Sequence, residues 1–395
     1  MQRPSILLPR SEWGQLSRLR QIVGEFDVLT DTPADARLAD FQPLATTELV
    51  APTDLPAARS WPSPVATLLT SGSTGVPKVI TKVAAMIVGE GEALRRALAI
   101  ETSPVTFAST APLEHMFGYT FAFWLPQFIG AHTQDFRVLT PNALKTLSES
   151  SPLPLWLVTT PAYLRGLTEL RLRLRNIAGV LSATSPLSSE LARAAATCCG
   201  VPITEIYGST ETGAMAIRIR RADESTEPLW KPLPGVSVQR GCNEKAEFTA
   251  PYLNEPVTLG DRLAFEDDGF LIRGRDDDLV KVCGKRHSLA ALNKILSTVE
   301  GVRDATYFFP VDDAVVERAR PAAFVVLEPG VSPASVLNHL RGRMDDVFLP
   351  RPLFDVPELP FSETGKLRRE SLQQLFAACA QRDGLGSTQE MQPNV

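Results

Sequence analysis

Short apolar runs separated by turn residues dominate the first half of the chain, with amphipathic stretches between them. The segments 65–69, 105–109, 155–159 and 180–183 are near-continuous apolar runs of strand length, the pattern of strands covered on both faces, and 203–207 continues the rhythm as a further strand. Residues 84–100 predict a helix with Leu94, Ala97 and Leu98 on one face, and 188–199 predict another. Pro161 is placed to open a helix in its first turn. This alternation predicts a mostly parallel sheet with helices on its faces. The longest apolar stretch, 119–131, is interrupted by Pro126 and Gln127 and is too short to span a bilayer.

After about residue 232 the rhythm changes. Short strands at 236–239, 246–248, 261–265 and 270–273 surround an Asp267-Asp268-Gly269 turn signal, which predicts a small β subdomain. From 278 onward a strand (279–282), a helix (288–299), two strands (304–309 and 322–327) and a helix (333–344) predict a separate α+β unit. The polar, Gly-containing end is expected to be disordered.

The hydrophobic fraction of 44% and charged fraction of 22% over 395 residues are those of a globular protein of about two domains. The 32 prolines favour a loop-rich α/β chain over a helical bundle. A net charge of −5 carries no general basic field for nucleic acid or an anionic membrane. The five cysteines, Cys198, Cys199, Cys242, Cys283 and Cys379, contain no Cys-x-x-Cys pair and read as reduced, packed thiols. The start lacks the apolar core of a signal peptide, so the expected location is cytoplasmic, without membrane insertion.

Four blocks carry candidate chemistry. Thr70-Ser71-Gly72-Ser73-Thr74-Gly75-Val76-Pro77-Lys78 follows an apolar strand. Glycines let backbone amides approach phosphate oxygens, hydroxyls add donors and the lysine adds charge. Its spacing is not that of a Walker A loop, and a solvated loop could have the same composition. Ile206-Tyr207-Gly208-Ser209-Thr210-Glu211-Thr212 follows a predicted strand, at the strand end where open α/β sheets bind ligands. The alternative there is a helix start capped by Ser209 or Thr210. Gly260-Asp261, then Gly274-Arg275-Asp276-Asp277-Asp278 and Gly284-Lys285-Arg286, form the third block, which could equally be solvated turns. The fourth is Pro360-Phe361-Ser362-Glu363-Thr364-Gly365-Lys366, which alone could be a basic tail.

In this order the four blocks resemble the adenylate-forming (AMP-binding) superfamily of acyl- and aryl-CoA synthetases, peptide-synthetase adenylation domains and luciferase. A softer block, Pro112-Leu113-Glu114-His115-Met116-Phe117-Gly118, is similar to the family's gate near the acyl pocket. The resemblance covers about 65–369. It implies a large N-terminal α/β domain (1–276), reduced at its N-terminus and carrying the β subdomain, then a mobile C-terminal α+β domain (277–385) and a disordered tail (386–395). It implies ATP and Mg²⁺ as cofactors, with Thr70, Ser71, Gly72, Ser73, Thr74, Gly75 and Lys78 around the phosphates. Tyr207 would stack on adenine beside Gly208, Ser209 and Ser185. Thr210 would contact the α-phosphate, Glu211 would hold Mg²⁺, and Asp261 would take the ribose hydroxyls near Arg275 and Arg286. Asp277 would mark the hinge. Lys366, with Glu211, Thr210 and His115, would complete the catalytic set.

The chain also departs from the family pattern. Only 69 residues precede Thr70, fewer than relatives usually have. Where they show Ser-Gly-Gly-Ala-Pro-Leu, this chain has Ser182-Ala183-Thr184-Ser185-Pro186-Leu187. Ala183 and Thr184, with His115, Phe117 and Gly118, are therefore expected to shape a shortened acyl pocket suited to a flat aromatic acid. In size the chain is similar to the hydroxybenzoate- or acyl:acyl carrier protein ligases of aryl-polyene (xanthomonadin-type) clusters. That implies a carboxylic acid substrate and an acyl carrier protein as thiol acceptor, with free CoA or a non-catalytic nucleotide-binding role as alternatives. Arg171, Arg173 and Arg175, alternating with Leu170, Leu172 and Leu174, are expected to show a basic face to a carrier.

Overall fold

The structure is a computed structural model. It describes residues 6–7, 29–30, 44–45, 66–70, 78–100, 104–113, 115–134, 137–241, 245–275, 279–282, 285–310, 321–361 and 367–384. The chain divides into two compact units, Met1–Ser237 with Phe248–Val257, and Val238–Glu247 with Thr258–Val395.

In the first unit β1 (Ala66–Thr70) pairs antiparallel with β2 (Lys78–Lys82), Thr70 facing Lys78, and parallel with the short strand Ile6–Leu7. Next come β3 (Thr106–Ser109), β4 (His132–Thr133), β5 (Leu155–Thr159), β6 (Ile177–Ser182), β7 (Ile203–Ser209), β8 (Gly213–Arg220) and β9 (Lys231–Pro232). They form a seven-stranded sheet in the order β9-β8-β7-β6-β5-β3-β4. The β7-β6-β5-β3-β4 pairings are parallel, while β8 and β9 add an antiparallel edge. The α/β fold expected from the sequence is therefore present, as a mixed sheet. Parallel pairing buries both faces, which is why these strands read as apolar runs.

Helices close the sheet, among them two behind side-chain caps. α1 spans Ala84–Leu98. Thr160 and Ser188 cap the helices Pro161–Glu169 and Ser189–Cys199 by accepting from the amides of Tyr163 and Leu191. The core between sheet and helices is made by Ala108, Leu157, Leu164, Leu167, Val180 and Ala195.

The apolar stretch around 119–131 is helical, which its pattern did not announce. A turn at Met116–Gly118 runs into a π-helix, Tyr119–Trp124, and then Leu125–Ile129. Pro126 has no N–H to donate into an α ladder, and a widened turn next to it accommodates the gap. Residues 170–175 are irregular instead of extended. Leu170 is exposed and Leu174 buried, while Arg171, Arg173 and Arg175 are all exposed.

The second unit carries a four-stranded sheet in the order β10 (Ser237–Arg240), β11 (Lys245–Thr249), β12 (Val257–Glu266), β13 (Gly269–Arg275). Asp267 and Asp268 make the turn between the last two strands, where the sequence placed one. A two-stranded hairpin, Leu279–Val282 with Lys285–Ser288, follows. Beyond it lies a sheet of Val302–Phe308, Ala322–Leu327 and Leu353–Asp355. The helix expected to reach 344 ends at Leu340. The helix Arg369–Arg382 was not foreseen in the sequence. Among the described residues no helix is long and apolar enough to cross a membrane.

Candidate functional site

The Tyr207 block lies at the carboxyl end of β7, the strand end where ligands bind in such sheets. The chain does not start a helix there. It makes a tight turn over Thr210–Thr212 and returns as β8, so the capped-helix alternative is set aside. Ser209 and Thr212 tie the turn reciprocally. The Ser209 amide donates to Thr212 Oγ1 at 3.1 Å and the Thr212 amide donates to Ser209 Oγ at 3.2 Å. The Thr212 hydroxyl donates to the Gly213 carbonyl at 2.8 Å. Thr210 and Glu211 are thereby left half-buried at the tip.

Two glycines make the turn possible. Gly213 has φ +75°, which an L side chain rarely adopts. A Cβ on Gly208 would stand 2.0 Å from the Gly213 carbonyl oxygen. Tyr207 is buried, with its ring 5.6 Å from that of Trp230 and 5.7 Å from that of Phe248. The Arg218 guanidinium lies 4.5 Å from the Trp230 ring centroid.

Two charged residues that motif reading passed over stand behind the turn. Lys82, at the end of β2, is 1% exposed and donates from Nζ to the Glu211 carbonyl at 2.9 Å. Glu90, on α1, is 4% exposed and accepts from the Ala214 amide at 2.8 Å. Burial lowers the Lys82 pKa, against attraction from Glu90 and Glu211. Burial raises Glu90 to about 6, against Lys82 and the Ala214 amide. A signal for both exists in the sequence. Lys82 continues the inward alternation of Ile80, and Glu90 sits in the stripe Ile87, Glu90, Gly91, Leu94, where an apolar residue would be expected.

At the other end of the β7–β8 hairpin, Glu205 faces Arg218 in register. Arg218 Nε donates to Glu205 at 2.8 Å, and Arg220 Nη1 donates to the same carboxylate at 2.9 Å. Arg220, fully buried, also reaches Glu224, Ser189 and the Leu187 carbonyl.

The stretch that follows β6 holds the two departures from glycine. Thr184 has φ +82°, a strained conformation for a β-branched residue. Among the described residues the buried hydroxyls of Ser182 and Thr184 have no hydrogen-bond partner. Gly118 is demanded by packing, because a Cβ would lie 2.0 Å from the Pro112 carbonyl oxygen. Phe117 is buried, 5.2 Å from the ring of Phe121, and His115 is half-buried at the start of its helix.

In the second unit Asp261 and Arg275 occupy paired positions on β12 and β13. Gly274 has φ +117° beside Ser288, which caps the helix Leu289–Ser297. Ser71, Gly72, Ser73, Thr74, Gly75, Glu114, Asp277, Lys366 and the tail 386–395 lie outside the described residues, as do the side chains of Thr70, Lys78, Arg275 and Arg286.

Among the described residues no group of three His, Cys, Asp or Glu is arranged to hold a metal. Glu211 and Thr210 offer instead one carboxylate and one hydroxyl. That hard oxygen set fits Mg²⁺ when phosphate oxygens supply the remaining ligands.

The AMP-binding enzyme family matches residues 13–239. A 4-coumarate–CoA ligase of Cereibacter sphaeroides is 30% identical over 310 residues, covering 76% of this chain and 69% of that protein. A fatty acid–[acyl-carrier-protein] ligase of Mycobacterium marinum is 24% identical, covering 78% of this chain and 67% of that protein. Among solved structures, an anthranilate CoA ligase in complex with anthranoyl-AMP superimposes with a TM-score of 0.73 at 20% identity, over 96% of this chain and 82% of that one. That likeness concerns the fold.

Proposed function

Because the chain belongs to the AMP-binding enzyme family and is an adenylate-forming ligase, we propose that it activates a small aromatic, hydroxybenzoate-like carboxylic acid with ATP. It then passes the acyl group to the phosphopantetheine thiol of an acyl carrier protein, as a ligase of the aryl-polyene type. The observation that carries this reading is the bond from Lys82 to the Glu211 carbonyl. It ties the strand that leaves the Ser/Thr/Gly loop to the turn presenting Thr210 and Glu211.

The chemistry requires such a junction. A carboxylate oxygen attacks the α-phosphorus of ATP, the bond to pyrophosphate breaks, and an acyl-adenylate forms. Two anions approach each other in that step, so positive charge must be in place beforehand. Bound Mg²⁺ supplies Lewis-acid neutralisation of phosphate charge. In this chain Glu211 holds the ion, and the hydroxyls of Thr70, Ser71, Ser73 and Thr74 with Lys78 cradle the outer phosphates. Thr210 binds the α-phosphate, Tyr207 packs on adenine and Asp261 takes the ribose hydroxyls. Lys366 neutralises charge between the attacking carboxylate and the α-phosphate. In the second half-reaction the thiol sulfur attacks the acyl carbon, its proton is lost, and AMP leaves. That step does not need Lys366, which fits a C-terminal domain that changes orientation between steps.

Support for an aromatic acid comes from the aromatic π-helical segment and from the bulk of Thr184 just beyond β6. Support for a carrier comes from the exposed Arg171, Arg173 and Arg175, a basic surface suited to an acidic helix. The 4-coumarate–CoA ligase relative favours a second reading, with free CoA as the acceptor.

ATP–pyrophosphate exchange over a panel of carboxylates tests the first step. Hydroxybenzoates should exceed dodecanoate, and the reverse order would reject the aromatic assignment. Lys366→Ala should lower exchange by about 10²–10³-fold while thioester formation from pre-made acyl-adenylate persists. Robust turnover with CoA, and no loading of any carrier protein, would decide for the second reading.

A further inference from the structure

Lys82 and Glu90 are a costly way to fill a core. Two buried charges in such a place are usually no more stabilising than apolar side chains of similar size. Their placement is specific. Lys82 holds the carbonyl of Glu211 and Glu90 holds the amide of Ala214, so both ends of the turn are pinned from behind. Ala214 is held at its carbonyl too, to which the Tyr252 hydroxyl donates at 3.2 Å. No slack is left. A Cβ on Gly213 would lie 2.5 Å from Glu90 Oε2, and one on Gly89 would lie 2.4 Å from Tyr252 Cβ. Lys82 is four residues beyond Lys78 on the same strand, and Glu90 is on the helix that strand leads into.

We propose that Lys82 and Glu90 are a positioning pair, holding the Thr210–Glu211 turn in register with the strand that leaves the phosphate loop while the acyl-adenylate forms. The inference rests on the reading above that Glu211 and the loop act on ATP. Neither residue touches the reacting atoms. The pair fixes the backbone from which Glu211 projects, and a displacement of about 1 Å at such a group can cost on the order of 10²-fold in rate.

The test uses the full chain with Lys82→Met and Glu90→Gln combined. The amide side chain introduced by Glu90→Gln would still accept from the Ala214 N–H, and both charges leave together, so the fold should be kept. Three quantities are read: ATP–pyrophosphate exchange with the best carboxylate of the panel, thioester formation from its pre-made acyl-adenylate, and the thermal midpoint without nucleotide. The expected result is a fall in exchange kcat of about 10–100-fold. The carboxylate KM and the transfer step should hold, and the midpoint should not fall. Glu90→Gln alone should lower the same half-reaction by less, and decides by the same split if the double variant does not fold. Undiminished exchange in the variants would overturn the positioning role alone. So would an equal fall in both half-reactions accompanied by a lower midpoint, which a purely structural role predicts. If the unaltered protein neither exchanges pyrophosphate with any acid nor binds Mg-ATP, the functional reading fails and takes this inference with it.

Discussion

The two ends of the β7–β8 hairpin both bury charge, and they do so differently. At the base, Glu205 is shared by Arg218 and Arg220, and Arg220 spreads its remaining donors over Glu224, Ser189 and a carbonyl. Charge meets charge, and the guanidinium forks are met by several acceptors. At the tip, Lys82 and Glu90 meet backbone groups of the turn. Burial disfavours the charged form of each. The base network holds two strands and one helix start together. The tip pair holds the backbone of one turn. Disturbing the first should cost stability, and disturbing the second should cost geometry at the site.

The largest effect expected is at the base. Glu205→Ala takes the shared carboxylate from two buried guanidinium groups, leaving Arg218 with Glu227 and Arg220 with Glu224, and should destabilise the first unit by about 3 kcal/mol, read by urea or thermal unfolding. A loss below about 1 kcal/mol would mean the network is no stronger than a surface ion pair. Next comes Glu211→Gln at the tip. It should lower ATP–pyrophosphate exchange about 10²–10³-fold with little change in unfolding midpoint, the inverse of Glu205→Ala. Similar stability losses in the two variants would erase the distinction between base and tip.

The third expectation separates the ends by pH. The folded protein holds the Glu90 proton up to about pH 6, above its ordinary value near 4.5. The stability it contributes is complete below the ordinary value and is lost as pH rises through about 6, a change of roughly 2 kcal/mol. Glu90→Gln should remove this slope, so its stability relative to the parent should rise between pH 4.5 and 7. A flat difference would show that Lys82 compensates the buried carboxylate. The smallest effect lies beside the hairpin. Thr184→Gly removes a β-branched residue from φ +82° and should stabilise by about 1 kcal/mol, strain relief outweighing added chain entropy. It should also broaden the range of acids exchanged.

The parallel strands, their capped helices and the β-rich turn at Asp267-Asp268 were legible because each has a local cause: a doubly buried strand is apolar throughout, Ser188 can cap only its own helix, and a turn is made by neighbours. The π-helical segment was not legible, since a continuous apolar run has no period to distinguish helix from strand. The antiparallel strand Gly213–Arg220 was hidden by its own charges. Arg218 and Arg220 look like solvent positions until Glu205 lies beside them. The motif blocks drew attention to Tyr207, Thr210 and Glu211 because those residues are close in the chain. Lys82 and Glu90 are more than 120 positions from the groups they bind, Glu211 and Ala214.

Periodicity, caps and short motifs act over a few residues, so the strand–helix alternation around the parallel sheet, the family and the residue types available for phosphate chemistry could be read from the chain alone. The tertiary structure alone decided which buried charges face one another and which peptide groups they hold. Those pairings are made across strands and between a helix and a turn, where desolvation and hydrogen-bond geometry rather than chain proximity select the partner.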